Sequence, residues 1–254
     1  MSSKASVHYS ISDAGGISPN VVQPIAKLIY MVREETVQKA KALLKRVDNI
    51  AKGAALMTDT EVTCRQIDGT ASTLSNQTIE NVLHDNLVAA PQPEYTEDEI
   101  IYAKQLRATY DTSELPGSRT YEDFKVKKFV LEQTENGTRP INNFVFPHTP
   151  CNPFSPGSTD VGDVSWLTPT AQFTAVTWPS GSPGHSWQIT ACAGHSIGYK
   201  GMLYGGEVVA AAALKMIEEP GHIEKAKEEF DRVMKGQTYK CPIGPEIPIP
   251  QPQI

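Results

Sequence analysis

The strongest constraint on the fold is a change in the spacing of apolar residues near position 34. Leu28, Tyr30 and Val32 recur at every second position, which predicts a strand over residues 27–33. Beyond it the apolar residues fall three or four positions apart, at Val37, Ala40, Leu44, Val47, Ala51 and Ala54. That spacing predicts one face of an amphipathic helix.

Two more strands are predicted around this strand and helix. Alternation over residues 7–11 predicts an earlier strand, and residues 61–67 predict a third one that ends at Asp68-Gly69. Strand, strand, helix, strand over about seventy residues is most of a small α+β sandwich.

From residue 75 onward, local signals predict helices. Asn76 is available to cap a short helix over residues 79–87. Thr96 and Glu99 form the pattern of a capping box, which predicts a helix through about Arg107. Residues 108–152 are polar and contain prolines, so they predict a long surface excursion.

The last third of the chain predicts a loop-rich segment followed by two helices. Residues 151–197 are dense in Gly, Ser, Thr and Pro and contain three tryptophans. Loops of this kind often carry functional residues. The closing helices are predicted over residues 202–218 and 222–234, and a proline-rich, extended tail begins at Cys241.

Composition excludes several classes of function. The 254 residues carry a formal charge of −6 without a basic block, which argues against nucleic-acid binding. The longest apolar run, residues 208–214, is far shorter than the roughly 20 residues that a membrane helix needs. Cys64, Cys151, Cys192 and Cys241 are far apart, so we interpret them as reduced thiols of a cytoplasmic protein.

Two stretches of the sequence carry a resemblance to a known family. One runs from Val7 to Arg33 and includes Ser18-Pro19-Asn20; the other joins residues 157–166 to Pro183-Gly184-His185-Ser186-Trp187-Gln188. Together they resemble the aminoacylase and carboxypeptidase family of metalloamidohydrolases. The resemblance implies an α/β fold: a partial α+β lid, or dimerisation, domain over residues 1–72, then the second half of an α/β catalytic domain over 73–240, with residues 241–254 as tail.

The family's remaining metal-binding motifs have no counterpart in the sequence. Its early His-x-Asp (or Cys-x-His) motif is absent, because His84-Asp85 and His148-Thr149 have the wrong spacing. The pairs that could imitate its catalytic Glu-Glu motif are predicted to lie on charged, solvated helix faces: Glu34-Glu35, Glu218-Glu219 and Glu228-Glu229. The resemblance therefore implies a truncated, C-terminal portion that is inactive alone.

The resemblance assigns roles to a small set of residues. His185 matches the family's last metal ligand, and an imidazole in a Gly-rich loop is a good donor to zinc or manganese. Asn20 and Arg33 match a pair that holds the substrate carboxylate, with Arg supplying a planar fork. In related dimers this pair acts on the neighbouring subunit. The alternative for Arg33 is a strand-end charge in water.

The segment from residue 158 to 165 resembles the family's loop beside the metals. Ser158 and Thr159 are expected to bind substrate, because backbone N–H groups in such a turn stabilise anions. Asp160 and Asp163 are either partners that orient metal ligands or caps of turns. Structural roles are expected instead at His8, His195 and Tyr199, and His148 matches no ligand.

The function implied is hydrolysis of the amide bond of an N-acyl amino acid such as an aroyl-glutamate. In the complete enzyme two zinc or manganese ions would activate water and a glutamate would move the proton. The expected partners are this small molecule and a second subunit, in a homodimer or heteromer through the lid domain. The alternative is a non-catalytic module that dimerises or binds an acyl amino acid without cleaving it.

Overall fold

The structure is a computed structural model that describes residues 2–111, 124–149 and 157–248. These residues form a mixed fold, largely helical with one two-stranded sheet, which is compatible with an α/β or α+β class. Its elements are β1 (Ser6–Asp13), β2 (Lys27–Arg33), α1 (Val37–Thr58), α2 (Gln77–Ala89), α3 (Glu97–Arg107), α4 (Phe124–Gln133), α5 (Val161–Ser165), α6 (Trp187–Ala193), α7 (Ser196–Glu218) and α8 (Gly221–Met234).

The chain divides into two compact units. The first unit contains residues 2–74, 157–168 and 236–248, and the second contains residues 75–111, 124–149 and 169–235. No helix in the described parts of the chain is long and apolar enough to cross a membrane.

The first unit begins with the hairpin that the sequence predicts. Strands β1 and β2 are antiparallel, with Ser6 opposite Arg33 and Tyr9 opposite Tyr30. The two tyrosine rings stack with their centroids 5.8 Å apart. Helix α1 follows, and the Thr36 side chain caps it by accepting a hydrogen bond from Lys39 N. Both strands and the helix are confirmed.

The predicted third strand over residues 61–67 is wrong. A strand needs a neighbour in a ladder, and this segment contacts other elements. The Cys64 thiol lies beside Asp48 of α1; burial, and then this carboxylate, raise its pKa. Gln66 Nε2 donates to the carbonyl oxygen of Pro242 at 3.1 Å. Its backbone therefore extends without joining the hairpin.

The tail and the cysteines differ little from expectation. The described part of the tail, residues 241–248, contains a turn in which Ile247 N donates to Gly244 O at 3.0 Å, so it is not extended throughout. Cys64, Cys192 and Cys241 are free thiols. Cys151 lies outside the described residues, as do the last six residues of the tail.

The second unit confirms both predicted caps. Asn76 Oδ1 accepts from Ile79 N at 3.1 Å and begins α2. Both arms of the capping box of α3 are present between Thr96 and Glu99. Helix α7 begins at Ser196 and not at residue 202, because the His195 side chain accepts from Ile197 N and caps the helix.

The predicted surface excursion over residues 108–152 is wrong where the structure describes it. Residues 124–133 form α4, whose Val126 and Val130 are buried four positions apart on one face. Ile141 is 2% exposed and belongs to the core. The Arg107 guanidinium donates to the carbonyl oxygens of residues 137–139 and ties this segment to the end of α3.

Helix α7 is the central element of the second unit. Val82 and Leu83 of α2 cluster with its Ala212, and Ala103 of α3 and Ile141 cluster with its Ile197. The helix also approaches an extended segment closely, since a Cβ added at Gly201 would lie 1.9 Å from the carbonyl oxygen of Val176. Only glycine allows that approach.

Two glycines of α7 give a matched test of this packing. Gly201→Ala should lower the free energy of unfolding by about 1–3 kcal/mol, because the new methyl group meets a backbone carbonyl that cannot turn aside. Gly206→Ala should raise it by about 0.5–1 kcal/mol, because nothing lies within 4 Å and alanine favours the helix. Urea unfolding of both variants is the measurement, and equal effects would contradict this packing.

A buried carboxylate joins α3 to α7. Glu99 is 5% exposed, and it accepts hydrogen bonds from Thr96 N, Ser196 Oγ and Lys200 Nζ. Burial raises the pKa of Glu99, but the hydrogen bonds from Lys200, Ser196 and Thr96 outweigh it and lower the pKa to about 2.

The lowered pKa of Glu99 predicts a dependence of stability on pH. A carboxyl group with a depressed folded pKa contributes fully above its unfolded pKa and loses that contribution as pH falls toward the folded value. The free energy of unfolding should therefore fall between about pH 4.5 and pH 2, and Glu99→Gln should flatten that decline. Glu97→Gln, on the exposed side of the same first turn, should leave the decline unchanged. Urea unfolding across this range measures both.

Candidate functional site

His185 is exposed on a turn of the second unit, just before α6. Its backbone is left-handed, with a φ of 56°, a conformation that is uncommon outside glycine although histidine tolerates it better than most residues. No hydrogen bond joins its imidazole to any residue that the structure describes. The ring is therefore available to a ligand from outside, but nothing within the described chain fixes its orientation.

Asn20 and Arg33 lie in the first unit, at different places on the hairpin. Asn20 is exposed on the loop that joins β1 to β2, where its Oδ1 accepts from Ser18 Oγ at 2.8 Å. Arg33 ends β2 opposite Ser6, at the end of the hairpin away from that loop. Its Nε contacts Met31 Sδ at 3.2 Å, in agreement with the predicted same-side neighbour.

The segment from residue 158 to 165 is a structural junction of the first unit. Ser165 Oγ accepts from Leu74 N at 2.8 Å, and the Trp166 indole donates to Ser72 O at 2.7 Å. A Cβ added at Gly162 would lie 2.1 Å from the carbonyl oxygen of Ala71. The segment thus packs backbone to backbone against residues 71–74.

Asp163 is at the centre of this junction. Its carboxylate accepts from Ala71 N at 3.2 and 3.3 Å and from the Tyr239 hydroxyl at 2.7 Å. The pKa of Tyr239 is raised by burial and by its bonds to Asp163 and Cys241. Asp163 therefore joins three separate parts of the sequence, and any role in orienting a metal ligand would have to share this carboxylate.

Ser158, Thr159 and Asp160 are less constrained. Ser158 and Asp160 are exposed, and Thr159 Oγ1 donates to Asp160 Oδ1 at 3.2 Å. The Asp160 side chain does not cap α5. Substrate binding by this turn stays a prediction, and so does a metal-orienting role for Asp160.

Asp163 and Asp160 offer a matched comparison within one turn. Asp163→Ala should lower the free energy of unfolding by about 1–3 kcal/mol, because it leaves the Ala71 N–H and the Tyr239 hydroxyl without their acceptor. Asp160→Ala should change it by less than about 0.5 kcal/mol, as is usual for an exposed residue. Chemical unfolding followed by tryptophan fluorescence measures both, and an Asp163→Ala variant as stable as the parent would contradict the junction.

The glutamate pairs differ from the expectation at one position. Glu35 accepts from Lys39 and Lys4, and these bonds lower its pKa to about 2. Glu219 pairs with His222 at 3.1 Å on the surface. Glu229, however, is not simply solvated: it accepts from the backbone N–H groups of Gln77 and Thr78 at 2.7 and 3.0 Å. That carboxylate caps the first turn of α2, where exposed N–H groups favour a negative charge.

Two histidines that are remote in sequence meet in the second unit. The rings of His84 and His148 lie with centroids 5.4 Å apart. Both line a cavity of about 370 Å³, whose wall also includes Tyr95, Phe173 and Tyr204. His84 Nε2 lies 3.0 Å from the carbonyl oxygen of Phe146. No sequence spacing predicted this pair, because it depends on how residues 143–149 pack against α2.

The described residues do not by themselves fit a complete metal centre. Across residues 2–111, 124–149 and 157–248, no group of three or more His, Cys, Asp and Glu side chains could hold a metal ion. Catalytic zinc sites use three protein ligands. His185 is therefore a single candidate donor, as the sequence indicated.

Comparison with known proteins identifies one relative. It belongs to p-aminobenzoyl-glutamate hydrolase of Escherichia coli (strain K12), as the subunit that is designated B, and this chain is 36% identical to it over 250 residues. The predicted resemblance is confirmed. The alignment covers 96% of this chain and 51% of the relative, so the chain spans about half the length of the curated relative that it matches. No protein-family model matches.

The structural roles expected for other residues have mixed outcomes. His195 caps α7 and stacks on Tyr102 with ring centroids 4.1 Å apart, which confirms a structural role. Tyr199 is 50% exposed on the surface of α7. His8 lies in β1 opposite Met31 and is exposed.

Proposed function

We propose that this chain is part of an amide hydrolase that acts on N-acyl amino acids of the aroyl-glutamate type. The observation that supports the proposal is its 36% identity to the p-aminobenzoyl-glutamate hydrolase of Escherichia coli over 96% of its own length. An exposed imidazole at His185, the position that resembles a metal ligand, agrees with such a role. Zinc or manganese would polarise the amide when it is bound.

The chain would contribute recognition and one metal donor. His185 presents its ring to solvent and has no competing hydrogen bond among the described residues. Arg33 offers a guanidinium whose planar fork matches a substrate carboxylate, and Asn20 adds an amide donor. The remaining metal ligands and the general base would come from outside the described residues. A homodimer or heteromer through the first unit would place Asn20 and Arg33 beside a neighbouring subunit's site.

A second candidate, a binding module without hydrolysis, is favoured by the absence of a three-ligand cluster in the described parts of the chain. A single histidine binds a metal ion weakly. If the chain only binds an acyl glutamate, the carboxylate-binding residues are sufficient, and removal of metal should leave binding intact. The two candidates therefore differ in their response to chelation.

The decisive assay combines this chain with the part of the Escherichia coli relative that it does not match. Both polypeptides are expressed together with added zinc and manganese, and release of p-aminobenzoate from p-aminobenzoyl-glutamate is followed. We expect release that stops on chelation and returns with metal. His185→Ala should lower bound metal and rate by at least about tenfold, because a three-ligand site loses one donor.

His8→Ala is the matched control, since His8 is also an exposed histidine and lies on β1. It should leave metal content and rate unchanged. Equal losses in both variants, or hydrolysis that survives chelation, would contradict the metal role of His185. A stable complex that binds the substrate without cleaving it would favour the binding module.

A further inference from the structure

Residues 171–177 have the form of a strand without having strand neighbours. They contain no helix, turn or bend, and no backbone hydrogen bond joins them to any other residue that the structure describes. Ala171 and Phe173 pack inward on the cluster of Val82, Leu83 and Ala212, whereas the alternate residues Gln172 and Thr174 are exposed. Alternation of this kind is the burial pattern of a strand on a sheet.

The helices hold this segment in its extended form. The Val176 carbonyl lies against Gly201 of α7, and the Val176 side chain packs on Ala103 and Ile197. The segment is also rich in residues that favour strands, with Phe173, Val176 and two threonines. It is therefore fixed as a strand from one side, while its backbone N–H and C=O groups lack backbone partners within the described chain. Such groups are normally paired.

A slot runs beside the segment. Residues 172–176 form one wall of the cavity of about 370 Å³, and residues 143–149 form another wall. The wall contains Phe144, Phe146 and Phe173, and the buried Tyr95 hydroxyl and His148 Nε2 have no hydrogen-bond partner within the described chain. An apolar slot with unpaired backbone along one wall suits an extended peptide, because a strand would supply both apolar side chains and main-chain hydrogen bonds.

We infer that residues 171–177 accept a β-strand from a second stretch of polypeptide, the counterpart of the half of the relative that this chain does not match. The relative is about twice as long and nearly all of this chain aligns with it, so in the relative a further half-length of chain accompanies the matched half. The unpaired segment of the second unit is where such a stretch can continue hydrogen bonding. This inference concerns assembly and does not depend on hydrolysis.

Hydrogen exchange of the backbone amides tests the inference directly. This chain is measured by mass spectrometry alone and in complex with the unmatched half of the Escherichia coli relative, expressed together with it. In the chain alone, the amides of residues 171–177 should exchange as fast as those of exposed loops. In the complex they should slow by about 100-fold or more, because a ladder opens only by local unfolding.

A proline variant and its alanine control separate the backbone from the side chain. Thr174→Pro removes one N–H at an exposed position and should weaken copurification of the partner at least about tenfold, whereas Thr174→Ala keeps the N–H and should not. Amide protection in α7 shows whether the proline variant is folded. If it is not, exchange in the parent complex decides the matter.

Three outcomes would overturn the inference. The first is that the two polypeptides do not associate, and the second is that they associate while residues 171–177 stay unprotected. The third is protection of these residues in the chain alone that rises with protein concentration, which would show that a second copy pairs with them. Loss of hydrolysis with intact protection would instead count against the proposed function and leave the strand acceptor standing.

Discussion

The arrangement of the second unit depends on the buried carboxylate of Glu99. One oxygen completes the capping box of α3, and the group also receives Ser196 and Lys200 at the start of α7. A buried charge is tolerated only when such bonds surround it. With α3 fixed to α7 at this point, α7 can present Gly201 to Val176 and Ala212 to α2. The same helix thus orders the cavity wall and the extended segment beside it.

Local signals in the sequence predicted much of this fold. Asn76 capped α2 and the Thr96 and Glu99 pair began α3 as expected, because a cap is formed by residues within one turn of each other. Strands β1 and β2 were also predicted, since a hairpin needs only neighbouring stretches. The predictions that concerned partners distant in sequence were the ones that failed. Residues 61–67 had the pattern of a strand, but no ladder receives them among the described residues.

The candidate site divides in the same way. A sequence match could indicate His185, and the structure leaves its ring exposed. It could not indicate that Asp163 accepts bonds from Ala71 and Tyr239, because those partners come from distant parts of the chain. Glu229 shows the same limit: a glutamate pair on a charged helix has the same sequence pattern whether it is solvated or caps another helix.

The strand propensity of this sequence exceeds the sheet that it forms. In the described residues the only ladder is the hairpin of β1 and β2, yet residues 171–177 are extended, rich in strand-favouring residues and packed on a helical layer. A helical layer that buries one face of an extended segment is half of an α/β arrangement, and the other half is the set of strands beside it. Chemistry and folding therefore point to the same requirement: His185 lacks further metal donors within the described chain, and residues 171–177 lack strand neighbours there. One additional stretch of polypeptide that supplies both would satisfy the catalytic site and the sheet together.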